Sequence, residues 1–250
     1  MELRRFVLEP LNEIASNFPH PKTNKTVEEI LLNCADNSKS KIIKVVPYDF
    51  ICIEGNIGAG KTTLLKRLAQ DLKANTIYEE FEQNSFLPKF YSNPEKYSFA
   101  VECNFLIDRY NQLRKKFKEN AGLIISDYYI KKSLIFAQSN LNKDEYKLFE
   151  KISSSLINDL KIPELIIFLN VKTEKLISNI DKRGRDYEQS IKQSYLKKIE
   201  RQYQKILNKT KIPILFIETN NNNYVDDDVL YQKILTNIFI PFSGIKKVDL

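Results

Sequence analysis

Three of only six glycines in this 250-residue chain fall within six positions, in Gly55-Asn56-Ile57-Gly58-Ala59-Gly60-Lys61-Thr62. Ordinary usage is about 7% glycine, so the cluster marks backbone that must turn with positive φ or approach something closely. The segment satisfies G-x-x-x-x-G-K-[ST] without a mismatch, follows an apolar run ending at Glu54, and precedes Leu64, Leu65 and Leu68 at helical spacing. Strand, glycine loop and helix in that order bring successive N–H groups onto phosphate oxygens at a helix N-terminus. Gly55, Asn56, Ile57, Gly58, Ala59, Gly60, Lys61, Thr62 and Thr63 are therefore the expected nucleotide-binding set. The Lys61 ammonium suits the β- and γ-phosphates, and the Thr62 hydroxyl suits Mg²⁺. The expected ligand is ATP or GTP.

The rest of the chain fits that start. Residues 48–54, 76–79, 123–127, 165–171 and 212–218 are short β-branched or aromatic runs that read as strands. Between and after them, residues 64–73, 98–118, 144–160, 193–207 and 229–239 carry apolar side chains at helical spacing, and 220–228 is a polar loop. Strands alternating with helices predict an α/β fold with a five-stranded parallel sheet flanked by helices. Residues 1–47 break the rhythm: an apolar Phe6-Val7-Leu8, then Pro19-His20-Pro21, a helix-like 26–33 with Thr26 and Glu29 as a capping box, and a polar linker at 36–41. They read as a short N-terminal extension joined near Pro47 to a main domain at 48–250.

Composition removes several classes. A single histidine, His20, excludes a zinc-protease motif and argues against a Ser-His-Asp triad. Cys34, Cys52 and Cys103 give neither a metal-ligand spacing nor a disulfide framework. No apolar run approaches the length of a membrane span and the first residues lack a signal-peptide core, so a cytoplasmic protein with no membrane partner is expected. The net charge of +7 suits phosphate substrates. Its densest run, Arg114-Lys115-Lys116-Phe117-Lys118, reads as a solvated helix end rather than a nucleic-acid stripe.

A GTPase would need an N-K-x-D sequence, which is absent, and a motor or transporter ATPase a longer chain. A small kinase needs only an acceptor pocket and a lid. Glu54-Gly-Asn-Ile-Gly-Ala-Gly-Lys-Thr-Thr63, Glu79 closing the second strand, Phe90-Tyr91-Ser-Asn-Pro94-Glu-Lys-Tyr-Ser98-Phe99 and Arg183-Gly-Arg185-Asp-Tyr-Glu188-Gln189 resemble the deoxynucleoside kinase family, over about residues 48–240. The resemblance implies a P-loop kinase fold, ATP and Mg²⁺, and transfer of phosphate to the 5′-hydroxyl of a deoxynucleoside by a homodimer. It makes Glu79 the catalytic carboxylate, with Glu80 its neighbour. It makes Arg109 the arginine at the nucleoside end, Tyr91 and Glu188 the pair on the sugar 3′-hydroxyl, and Arg183 and Arg185 the lid arginines, separated by Gly184.

Two positions depart from the family pattern. Asp127-Tyr128-Tyr129 stands where Asp/Glu-Arg-Ser is common. Asp127 still suits Mg²⁺ through water, and Lys131, Lys132 or a lid arginine is expected to supply the missing charge. Glu102 stands where a glutamine usually reads the base. Glutamine offers a donor and an acceptor, matching adenine or cytosine, whereas an ionised glutamate offers only acceptors, matching the adjacent donors of guanine. A purine deoxynucleoside is the expected acceptor, with deoxyguanosine accepted well.

The alternatives are weaker. Ser126-Asp-Tyr-Tyr-Ile-Lys-Lys-Ser133 resembles a stretch of thymidylate kinase, but Glu79-Glu80 would repel a monophosphate acceptor. A non-catalytic nucleotide-binding protein would not need Glu79 and the paired lid arginines. The extension, Arg4-Arg5-Phe6-Val7-Leu8-Glu9-Pro10-Leu11-Asn-Glu-Ile14-Ala15 with His20-Pro21 and Lys25-Thr26-Val27, resembles the C-terminal end of hydroxymethyldihydropterin pyrophosphokinase. That enzyme's earlier sheet and acids are absent here, so either a remnant of a fused two-enzyme chain or part of a bifunctional pyrophosphokinase/deoxynucleoside kinase is expected, with no pterin activity from these residues alone.

Overall fold

The computed structural model describes residues 4–36, 45–119, 122–219 and 228–248. They form two compact units, residues 1–45 and 46–250. In the first, helix α1 (Arg5–Ala15) includes the Phe6-Val7-Leu8 run, and helix α2 (Val27–Leu32) starts at a capping box. There Thr26 Oγ1 accepts from the Glu29 amide at 3.2 Å and Glu29 Oε2 from the Thr26 amide at 2.8 Å. Most of the expected linker, and residues 220–227 of the expected polar loop, lie outside the described residues.

The second unit is built on strands β1 (Phe50–Gly55), β2 (Asn75–Ile77), β3 (Ile124–Ser126), β4 (Leu165–Val171), β5 (Ile214–Thr219) and β6 (Ile245–Val248). All pairings are parallel, in the order β2-β3-β1-β4-β5-β6. The sheet thus has six strands, not five. Ile245-Lys246-Lys247-Val248 is an edge strand paired only with β5, so its lysines can face water and the run lacks the apolar signature of a central strand.

The helices are α3 (Lys61–Leu72), α4 (Leu87–Ser92), α5 (Pro94–Glu119), α6 (Lys132–Asn140), α7 (Lys143–Ile157), α8 (Thr173–Arg183), α9 (Gln193–Leu207) and α10 (Asp228–Ile238). Alternate residues of one strand feed two cores. Ile51 and Ile53 of β1 join Leu65 and Leu68 of α3, Leu176 of α8 and Ile234 of α10. Phe50 and Cys52 join Leu106 of α5, Phe149 of α7 and Ile199 of α9. This is the period-2 geometry of a sheet covered on both faces. The basic run 114–118 ends α5, with Arg114, Lys115 and Lys118 exposed. No described helix is long and apolar enough to cross a membrane.

β2 is shorter than the predicted 76–79, so Glu79 sits two residues past its end. The chain ends of β1, β2 and β3 lie together, because β1 pairs with β3 and β3 with β2. Carboxyl ends of adjacent parallel strands are where ligand crevices open in such sheets.

Candidate active site

Backbone placement starts the site. Gly58 and Gly60 take φ of 80° and 86°, in the left-handed region, and a Cβ on Gly58 would lie 2.8 Å from the Leu176 carbonyl oxygen. No side chain fits there. Lys61 folds back over the loop, its Nζ donating to the carbonyls of Gly55 and Asn56 at 2.9 Å each. Asn56 Nδ2 donates to Leu196 of α9 at 2.9 Å, and Asn179 of α8 donates to the Gly58 carbonyl at 2.8 Å. Within the loop the Ile57 amide donates to Asn56 Oδ1 at 2.8 Å and the Ala59 amide to the Asn56 carbonyl at 3.2 Å. Below it, buried Glu54 accepts from the Tyr203 hydroxyl at 2.7 Å and the Tyr129 amide at 2.6 Å, tying α9 and the β3–α6 turn to the loop's base. Burial lowers the Lys61 pKa to about 8, with nearby Lys132 adding to the effect.

Asp127 leaves β3 and serves two neighbours. Its Oδ2 accepts from Thr62 Oγ1 at 2.7 Å, and its Oδ1 from the Glu79 amide at 2.8 Å. One carboxylate and one hydroxyl beside a phosphate loop is a hard-oxygen donor set that suits Mg²⁺, which keeps several waters and takes substrate phosphates for the rest. Burial pushes the Asp127 pKa up, and Glu79 adds to this.

Glu79 is gripped from two sides. Arg109 Nε and Nη2 both donate to its Oε1, at 2.9 and 2.5 Å, and Lys132 Nζ donates to its Oε2 at 2.6 Å. Arg109 Nη1 donates in turn to Ser133 Oγ at 2.7 Å. Burial alone would raise the Glu79 pKa; Lys132 and Arg109 outweigh it and hold the carboxyl well below the usual range. Of the three substitutes for the missing arginine, the structure brings Lys132 to the carboxylate, while Lys131 lies 5.9 Å from the Tyr129 ring. Tyr128, at the position of the missing arginine, is buried and donates its hydroxyl to Gln112 at 2.7 Å.

α5 contributes further buried polar groups. Asn93 Oδ1 caps it by accepting from the Lys96 amide at 3.2 Å, with Pro94 in the first turn. Glu102 and Arg109, seven residues apart, share its buried face. Glu102 Oε1 accepts from Asn140 Nδ2 of α6 at 2.7 Å, whereas Oε2 is buried with no partner among the described residues. Tyr91 of α4 stacks on Tyr187 at 5.8 Å between ring centroids. Arg183, the last residue of α8, and Arg185 both donate to buried Glu188, Arg185 at 3.2 Å, across Gly184 at φ 66°. The Arg185 guanidinium lies 3.6 Å over the Phe81 ring.

These groups line two clefts. One, of about 630 Å³, holds Gly58, Lys61, Thr62, Asp127 and Asn179. The other, of about 110 Å³, is lined by Phe90, Tyr91, Val101, Glu102, Phe105 and Asn140 among others. Both are lined by Lys61, Glu79, Arg183 and Arg185. The two clefts thus adjoin at Glu79, and of the predicted site residues only Gly55 and Asn56 line neither. Sequence reasoning missed Ser133 and Asn140. Ser133 is legible as part of the run after Asp127; Asn140, an ordinary helix-ending asparagine, carries no motif.

A phosphate loop and a carboxylate held between two cations where a phosphate cleft adjoins a second cleft of mixed polar and apolar lining narrow the possibilities to phosphoryl transfer. A family model of deoxynucleoside kinases matches residues 51–241. The chain belongs to the deoxynucleoside kinase family. As a member it is an enzyme, a phosphotransferase with an alcohol acceptor that carries out ATP-dependent phosphorylation of a deoxynucleoside 5′-hydroxyl. It is 34% identical over 197 residues to a deoxyguanosine kinase of Bacillus subtilis, covering 76% of this chain and 95% of the relative. It is also 34% identical over 189 residues to a deoxyadenosine kinase of Dictyostelium discoideum, covering 74% and 77%. Among solved structures it resembles a deoxyadenosine kinase of M. mycoides with bound dATP, with TM-score 0.66 and 22% identity, over 76% of this chain and 98% of that one. This last likeness speaks for the fold.

Proposed function

We propose that the chain prefers a purine deoxynucleoside, deoxyguanosine first, and that the residues at the junction of the two clefts perform the transfer. The observation that carries the reading is the position of Glu79, between Lys132 and Arg109 where the phosphate cleft meets the apolar pocket. ATP would lie with its phosphates against the loop of residues 55–63, and Lys61 would reach the transferring phosphate. Thr62 directly, and Asp127 through water, would hold Mg²⁺, which would neutralise phosphate charge.

The acceptor nucleoside occupies the second cleft. Tyr91 and Glu188 hold its 3′-hydroxyl, Arg109 and Lys132 orient Glu79, and Glu79 accepts the 5′-hydroxyl proton. A strongly ionised carboxylate is a weak base for a resting alcohol. It suffices here because the proton leaves late, once bonding to phosphorus has made the hydroxyl acidic. Arg183 and Arg185 place two cations on the lid side, where guanidinium forks fit phosphate oxygens. Glu102 reads the base. The named relatives include kinases of both purine deoxynucleosides, which supports the purine preference.

We also infer a homodimer through α5 and α7, which leave Ile107, Leu148 and Ile152 exposed, and a kinase that works without the extension. Light scattering tests the first, and turnover of a chain lacking residues 1–45 the second. Incubation with Mg-ATP and a panel of nucleosides and nucleotides, followed by product separation, tests the central reading. The expected product is dGMP, with dAMP second. A panel in which only pyrimidines, or only monophosphates, accept phosphate overturns it.

A further inference from the structure

Glu102 is the one carboxylate at the base end of the opening that is 2% exposed and keeps a buried oxygen without a partner among the described residues. Its other oxygen is held by Asn140, which also lies beside the Tyr195 hydroxyl of α9. The apolar walls around it, Val101, Phe105 and Phe136, cannot satisfy the free oxygen. A buried unpaired acceptor of this kind is costly and is relieved by a ligand donor or by a proton.

The groups facing Glu102 are mostly committed elsewhere. On its own helix Arg109 is bonded to Glu79, and Lys132 from α6 is bonded to the same carboxylate beyond β2. Arg183 and Arg185 from the lid turn are paired with Glu188. Lys61 of α3, which lines the same cleft, is bonded to the Gly55 and Asn56 carbonyls, and Tyr91 from α4, Tyr195 from α9 and Cys103 on α5 are further titratable neighbours. No cation makes an ion pair with Glu102 among the described residues. Burial therefore dominates and moves its pKa up to about 7, against the opposing pull of the Asn140 hydrogen bond and Arg109; Glu79 adds to the rise and Lys132 opposes it.

The two protonation states present different hydrogen-bonding faces. The carboxylate offers only acceptors, which match the N1–H and 2-amino donors of guanine. The acid offers a hydroxyl donor for adenine N1, while its carbonyl oxygen accepts from both Asn140 and the 6-amino group. We propose that Glu102 and Asn140 form a proton-gated base reader, in which the ionised pocket selects guanine and the protonated pocket selects adenine. The proposal rests on the deoxynucleoside-kinase reading and on Glu102 facing the base.

The test is the ratio of kcat/KM for deoxyguanosine to that for deoxyadenosine between pH 6 and 8, at saturating Mg-ATP. Groups shared by both substrates cancel in the ratio. One proton of difference moves it by about tenfold per pH unit, rising with pH. Titration calorimetry at pH 7 in buffers of different ionisation enthalpy adds a readout that packing alone would not move. Deoxyguanosine is expected to release about half a proton and deoxyadenosine to take up about half, as a group near half-titration requires. Asn140→Leu, which removes the donor that favours the charged form, is expected to raise the pH at which kcat/KM for deoxyguanosine reaches half its maximum; an unmoved half-maximum takes Asn140 out of the reader. A wild-type ratio flat with pH overturns the proposal. Glu102→Gln separates the two levels. If it turns preference toward deoxyadenosine while the wild-type ratio is flat, only the proton gate fails. If it leaves preference unchanged, the placement of the base against Glu102 fails with it.

Discussion

The two ends of the opening satisfy their polar groups in opposite ways. At the phosphate end nearly every charge has a counterpart: Glu79 with Arg109 and Lys132, Asp127 with Thr62, Glu54 with Tyr203. At the base end an apolar wall surrounds Glu102, one of whose oxygens has no partner. Pre-paired groups suit chemistry common to every substrate, because charges already fixed in place need no reorganisation during transfer. A group left unpaired is where discrimination lives, since only the ligand that completes it recovers the cost of its burial.

The largest effect expected at the paired end is the loss of the carboxylate itself. Glu79→Gln keeps the shape and removes the proton acceptor, so kcat is expected to fall by about 10³-fold, or about 4 kcal/mol of barrier. Steady-state kinetics with a retained KM for ATP checks it; turnover within tenfold of wild type would transfer the role to another group. Lys132→Met comes next. Removing one of two cations from a buried carboxylate is expected to lower kcat about 10²-fold, with Lys132→Arg recovering part of it. An unaffected Lys132→Met enzyme would leave Arg109 as sufficient partner.

At the unpaired end the prediction concerns stability. Glu102 has a folded pKa raised to about 7 from an ordinary 4.5. A raised acid favours folding fully only below its unfolded pKa, and that contribution is lost as pH rises toward and through the folded value. Glu102→Gln should therefore gain on the wild type by about 2 kcal/mol on going from pH 5 to pH 8, read by denaturant unfolding. Equal differences at both pH values would mean that the carboxyl is hydrated. Smallest is Thr26→Ala in the N-terminal unit. It removes one half of the capping box at α2 and is expected to cost about 1 kcal/mol locally. Amide exchange in residues 27–32 would report it, with kinase turnover unmoved.

The difference between the ends also explains what could be read from the chain alone. The phosphate loop is contiguous, its glycines and lysine fixed by local geometry, so strand, loop and α3 were legible together. The parallel sense of the central strands followed from apolar runs separated by helical lengths, whereas their order β2-β3-β1-β4-β5-β6 did not. The helices α4, α6 and α8 were not legible. α6 begins in Lys132-Ser133 directly after a β-like Tyr128-Tyr129-Ile130, and its apolar residues face several sides rather than one stripe. β6, an edge strand half made of lysine, gave no periodic signal. The partner of Glu79 depended on a meeting of residues 53 positions apart, which spacing alone could not choose among Lys131, Lys132 and the lid arginines. Asn140 was invisible for the same reason.

Asp127 has the widest reach of any side chain at the junction. Its two oxygens bond the hydroxyl on the phosphate-donor side and the peptide that carries Glu79 on the acceptor side. The donor and acceptor halves of the opening therefore share a single mechanical pivot less than one side chain across. Any shift that draws this carboxylate toward a cation also re-tensions the turn bearing Glu79. A sequence change that moves Asp127 would therefore be felt both at Thr62 of the phosphate loop and at the peptide that carries Glu79.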